Sequence, residues 1–135
     1  MLCALKLITF YLCTFVILSL TQMTGETKIL CIYTGDLEKY NHHPLYEAIV
    51  FAAKRANLAG ATVLRGIMSF GANSQVHTSK LFELSSDLPI KIEIIDTKEK
   101  IESFVEIVKK MFEKSKSAGL ISIQDIEVIR YMSNK

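Results

Sequence analysis

Two stretches of this chain carry the same apolar spacing. Leu45, Ala48, Ile49, Ala52 and Ala56 fall at offsets 0, 3, 4, 7 and 11, and Ile101, Phe104, Val105, Val108 and Phe112 repeat those offsets. This spacing keeps returning to one face of a helix. Each stretch therefore predicts an amphipathic helix with a single stripe to bury, and the stripe needs a partner surface. Short β-prone runs stand on both sides of each helix. Residues 29–34 form the first, ended by Gly35 and Asp36. Residues 61–68 form the second. Residues 88–95 are the clearest strand: Ile90, Ile92 and Ile94 alternate with Lys91 and Glu93, which predicts one buried and one wet face. Residues 120–123 and 127–131 supply the last extended segments. Residues 80–84 alternate as well and are a candidate extension of the sheet, with a turn at 85–87.

The helix ends are marked. A polar loop over 37–43 leads to Pro44, which suits a first helical turn. Lys54 and Arg55 suit the negative end of the first helix, and Gly60 is a candidate stop. Asp96 followed by Glu99 resembles a capping box for the second helix. The order is β-α-β twice over, the split βαβ or ferredoxin-like arrangement, an α+β sandwich. Both helical stripes can cover the same sheet face. Leu64 and Met68 alternate with Val63, Arg65 and Ile67, so the second strand has apolar groups on both faces. A homo-oligomer is expected from that.

At 135 residues, half of them apolar, the chain has room for one domain, expected over 28–131. Residues 1–22 stand apart. Lys6 precedes an apolar run over 7–20, shorter than the roughly 20 residues of a membrane span. A basic residue before an apolar core fits a secretory signal, although residues 19–22 make a poor small-x-small cleavage site. A start at Met23 is the third reading. The location follows the choice: cytoplasmic for a start at Met23, membrane-anchored or exported if the leader is genuine. The formal charge of +2, spread without a basic stripe, gives no argument for nucleic acid. Cys3, Cys13 and Cys31 show no metal-binding spacing, and Cys31 reads as a small buried apolar residue. No metal site is expected.

Four segments carry a family resemblance. PLYEAIV over 44–50, LAGATVLRGIMSFG over 58–71, HT over 77–78 and DLPIKIEIID over 87–96 closely resemble the PII-like family known as domain of unknown function 190. The resemblance runs from about residue 28 to about residue 129, and the run over 60–71 is its most specific part. It implies a ferredoxin-like fold and a homotrimer related to the nitrogen-regulatory PII proteins. Those bind adenine nucleotides in clefts between subunits and signal through a long loop between the second and third strands, here about 70–87. It implies no settled biochemical role. Residues 113–120 have lysines but not the glycine pattern of the PII phosphate-binding stretch, and residues 70–87 contain no tyrosine for modification.

Arg65 is a cation on a largely apolar strand, so it must be paired or face a cleft. It is expected either to meet an anionic ligand at a subunit boundary or to form an inter-subunit salt bridge. Gly66, Gly71 and Asn73 suit unusual backbone angles, with amides that cradle a phosphate or simply turn the chain. Phe70 and His77 complete the candidate ligand site; a lone loop histidine is more often a surface residue. His42 and His43 are adjacent and lack the helical spacing of a metal pair.

Two functions follow. The first is a regulator: a trimer that senses a small anionic effector, for which an adenine nucleotide is the candidate cofactor. It contacts a target protein, with a membrane transporter as one candidate, through the loop between strands 2 and 3. The second is a small hydrolase of acylphosphatase type. That chemistry needs an arginine after the first strand, and residues 35–43 contain none. No catalytic residue is identified, and a non-enzyme is expected.

Overall fold

The computed structural model describes residue 23 and residues 25–71, 76–78 and 87–132. In chain order the elements are β1 (Thr27–Gly35), β2 (Lys39–Tyr40), β3 (His43–Pro44), α1 (Leu45–Arg55), β4 (Ala61–Arg65), β5 (Met68–Phe70), β6 (Val76–Thr78), β7 (Pro89–Thr97), α2 (Lys98–Ser115) and β8 (Leu120–Ile126). Four of the strands make one antiparallel sheet in the order β4-β7-β1-β8. The leader and residues 79–86 lie outside the described residues.

The alternation in β7 fixes the core. Leu30 and Ile32 of β1 stand opposite Ile94 and Ile92 of β7, and with Ile90 each is at most 2% exposed. Both helices lie over this face. α1 contributes Leu45, Ile49 and Ala53; α2 contributes Ile101, Phe104, Val105, Val108 and Met111. Each fully buried Leu, Ile or Phe stabilises the fold by about 1.5–3 kcal/mol.

The helix ends differ from the sequence expectation. α1 stops at Arg55, and the exposed Ala56 is its C-cap rather than part of the stripe. Asn57 takes the left-handed conformation at φ 54°, which Asn tolerates, so the stop comes before Gly60. Asp96 does not cap α2. It remains in the β1–β7 ladder opposite Lys28, and Thr97 is the N-cap, with no side-chain cap bond. The buried Asp96 carboxylate instead accepts from the amides of Thr97 (2.7 Å) and Ala59 (2.8 Å). It thereby ties the lead-in of β4 to the junction of β7 and α2.

Two strands also differ. The stretch 61–68 is not one strand: β4 ends at Arg65, and Met68 starts a separate ribbon in which β5 pairs with β6. The last strand is continuous through Asp125 and ends at Ile126, opposite the first residue of β1. Residues 127–132 leave the sheet, because β1 offers no further partner. Tyr131 donates its hydroxyl proton to the Ala59 carbonyl (2.9 Å).

The sheet face away from the helices is mixed rather than simply wet. The β1–β7 register sets Cys31 against Glu93 and Tyr33 against Lys91. Lys91 Nζ lies 2.6 Å from Glu93 and 5.6 Å from the Tyr33 ring centre. The hydrogen bond to Glu93 holds the Lys91 ammonium above the ordinary lysine range. Around this pair Tyr33, Leu64 and Leu120 are exposed, while the free thiol of Cys31 is buried.

Candidate anion-binding site at the end of the central strands

Three strand ends converge where β1 leaves the sheet. Gly35 is opposite Pro89, and Arg65 is opposite Ile90, so Arg65 closes β4 beside the start of β7 and the end of β1. Its ladder position puts it on the helix side, aligned with Val63 and Ile92. It stands beside the core residue Ile90, but β4 is an edge strand exposed along its whole length, and the arginine side chain keeps its access to solvent.

The residues after β1 and before β7 are knitted together. Asp36 donates its amide to the Leu88 carbonyl (2.9 Å), and Leu88 returns its amide to Asp36 Oδ1 (3.1 Å). Leu37 donates its amide to Asp87 Oδ1 (3.0 Å). The Asp87 carboxylate lies directly on Gly35, where any side chain would collide with it. Gly66 donates its amide to the Pro89 carbonyl (2.7 Å). The chain from 66 to 89 therefore leaves and returns at one fastened root. Carboxylates accepting from amides are among the stronger hydrogen bonds.

Arg65 meets this root loosely. Its Nη2 is 3.6 Å from Asp36 Oδ2, an ion pair beyond hydrogen-bonding distance, with the arginine side chain 57% exposed and the aspartate 15%. The partner is in the same chain, which neither sequence expectation for Arg65 included.

Neither Gly66 nor Gly71 has a positive φ, so the expectation of unusual backbone angles fails for both. Gly66 is needed for space instead: a Cβ there would sit 2.7 Å from Pro89 Cγ. Gly71 is exposed, and a Cβ would meet nothing within 4 Å. Phe70 is 75% exposed at the end of β5, next to exposed Ile67 and Met68. His77 pairs through its backbone with Ser69. Asn73 lies outside the described residues. The structure thus brings Arg65 and Gly66 to the root, while Phe70 belongs to the ribbon.

Sequence reasoning missed Asp36 and Asp87, which it took only as turn residues. Their partners are 52 and 50 residues away, a pairing with no local signal. The expected polar loop over 37–43 contains a small hairpin, β2–β3, whose turn residues Asn41 and His42 both have positive φ. Among the described residues, no group of three His, Cys, Asp or Glu side chains is placed to hold a metal ion. A shallow groove of about 220 Å³, lined by Leu58, Lys100, Phe104 and Ile107 among others, lies near the start of α2, at the other end of β4 from Arg65. No helix among the described residues is long and apolar enough to cross a membrane.

Solved structures with the same architecture include PII-like proteins and CutA1 proteins. CPII, a nitrogen regulatory PII-like protein from Thiomonas intermedia K12 solved with ADP, AMP and bicarbonate, matches with a TM-score of 0.60 at 22% identity, covering 78% of this chain and 91% of that one. The divalent ion tolerance protein CutA1 of Ehrlichia chaffeensis matches with a TM-score of 0.55 at 12% identity, over 79% and 87% of the two chains. The fold is therefore the ferredoxin-like fold of PII-like proteins. The profile of the family DUF190, described as "Uncharacterized ACR", matches residues 27–128, and the chain belongs to that family. A UPF0166 protein of Aquifex aeolicus is 41% identical over 104 residues, covering 77% of this chain and 94% of that protein. A UPF0166 protein of Methanocaldococcus jannaschii is 35% identical over 105 residues, covering 78% and 94%.

Proposed function

We propose that this protein is a PII-like regulator that binds a small anionic effector, an adenine nucleotide, at Arg65. It reads out occupancy through the segment between β4 and β7, which contacts a target protein. The observation that carries the reading is the half-exposed guanidinium of Arg65, held only loosely by Asp36 at the fastened root of that segment. A guanidinium offers a planar fork of donors that matches phosphate oxygens. The ADP and AMP bound to CPII favour a nucleotide over other anions. The exposed Ile67, Met68 and Phe70 at the start of the segment are a suitable apolar contact for a target, and a membrane transporter is one candidate.

The acting form in this reading is a homotrimer. Exposed Leu64, Tyr33 and Leu120 on the open sheet face give other copies an apolar surface to cover. Oligomerisation would also supply the second wall that Arg65 lacks on the edge strand. The hydrolase alternative gains nothing from the geometry, since the cation at the root is on β4 and the loop after β1, residues 35–43, contains no arginine.

A thermal-shift and calorimetric screen of ATP, ADP, AMP and cyclic nucleotides tests the proposal. At least one is expected to bind saturably and to raise the melting temperature. A well-folded oligomer that binds none of them, or one that steadily turns over acetyl phosphate, contradicts it.

A further inference from the structure

We propose that Asp36 is a latch between anion capture and the seating of the returning chain at residues 87–89. The inference rests on the reading of Arg65 as the anion-binding group. One carboxylate serves two clients. Its Oδ2 faces the Arg65 guanidinium at 3.6 Å, and its Oδ1 holds the Leu88 amide at 3.1 Å. Only 15% of the Asp36 side chain is exposed, so it has little room to exchange these partners for water. Asp87 adds a second negative charge at the same place, on the Leu37 amide and against Gly35. The Arg65 guanidinium makes no hydrogen bond among the described residues, and its donors are available to a better acceptor.

A phosphate-bearing ligand on Arg65 has two consequences. It displaces Asp36 as the partner of the guanidinium, because a bidentate phosphate contact is stronger than a loose ion pair. It also brings negative charge beside two carboxylates, and like charges at this range repel. Asp36 then turns from the site, and the Leu88 amide loses its acceptor. The end of the β4–β7 segment is then held at Leu88 only by the Asp36 amide on the Leu88 carbonyl, while its start stays fastened through Gly66 and Pro89. Coupling of this kind is reciprocal. A target that draws residues 87–89 away from Asp36 removes the latch from Arg65 and so tightens anion binding.

The test uses the full chain, with ADP and inorganic pyrophosphate as separate probes. Affinity is measured by calorimetry in the wild type, Asp36→Asn and Arg65→Ala, and amide exchange at Leu88 is followed by NMR. Asp36→Asn keeps an oxygen for the Leu88 amide and removes only the charge. It is expected to bind the anion about three- to fivefold more tightly, the size of an exposed ion pair. In the wild type, saturating anion is expected to speed exchange at Leu88, and in Asp36→Asn that response is expected to shrink. Equal or weaker binding by Asp36→Asn, or unchanged Leu88 exchange at saturation, overturns the latch and leaves anion binding standing. Pyrophosphate binding that depends on Arg65, with ADP inert, supports the latch and removes the nucleotide. Failure of both probes to bind the wild type, or equal binding by Arg65→Ala, overturns the site and the latch together.

Discussion

Gly66 and Gly71 flank the β5 strand, and a methyl group has opposite consequences at the two positions. At Gly66 it would press on Pro89, whose carbonyl also receives the Gly66 amide. Gly66→Ala is expected to cost about 1–3 kcal/mol in urea unfolding, as overpacking does. Gly71→Ala, with open space around it, is expected to stay within about 0.5 kcal/mol of the wild type. Asp96 is the most demanding polar residue of the described core. Asp96→Ala would leave the Ala59 and Thr97 amides without their acceptor, and a loss of about 2–3 kcal/mol is expected by the same measurement. Single residues were legible where chemistry is local. Arg65 stood out because a cation on an apolar strand demands a partner. Asp36 did not, because its role depends on Leu88 and Arg65, which only the folded sheet brings near.

At the scale of elements, the alternation of β7 and the spacing of the two helices were sufficient to place the core, since both report burial directly. The break between β4 and β5 was not legible. Apolar residues continue across it, and although the Gly66 amide still bonds the Pro89 carbonyl across the sheet, Pro89 has no N–H to return to Gly66. The N-terminus of β1 is fastened electrostatically. Lys98 bonds Glu26 at 2.8 Å and Lys28 bonds Asp125 at 2.7 Å, joining β1 to α2 and β8. These hydrogen bonds hold the Glu26 and Asp125 carboxyls below their ordinary values of 4.5 and 3.8. A lowered carboxyl stabilises the fold above its unfolded value and loses that contribution as pH falls through its folded value. Thermal stability is therefore expected to fall from about pH 5 to about pH 3, more steeply at low salt. The double variant Glu26→Gln, Asp125→Asn is expected to show a shallower fall. Both carboxylates are exposed, so the effect is small and salt-sensitive.

At the scale of the whole molecule, one sheet face is buried under two helices and the other is left with apolar residues around the Lys91–Glu93 pair. A second copy packed on that face would desolvate one ion pair already closed within the chain. Sedimentation of the wild type is expected to show an oligomer, and Leu64→Glu with Leu120→Glu is expected to dissociate it while the circular dichroism of the fold is kept. A wild type that sediments as a monomer at micromolar concentration would contradict the expectation.

The measurement that bears most directly on this protein is a calorimetric titration of ADP into the wild type and Arg65→Ala. Saturable binding to the wild type, lost or weakened at least about tenfold in a folded Arg65→Ala, is expected from a guanidinium that carries the phosphate contact. Absence of binding to the wild type, or equal affinity in the two, would contradict the assignment of Arg65 as the anion-binding group.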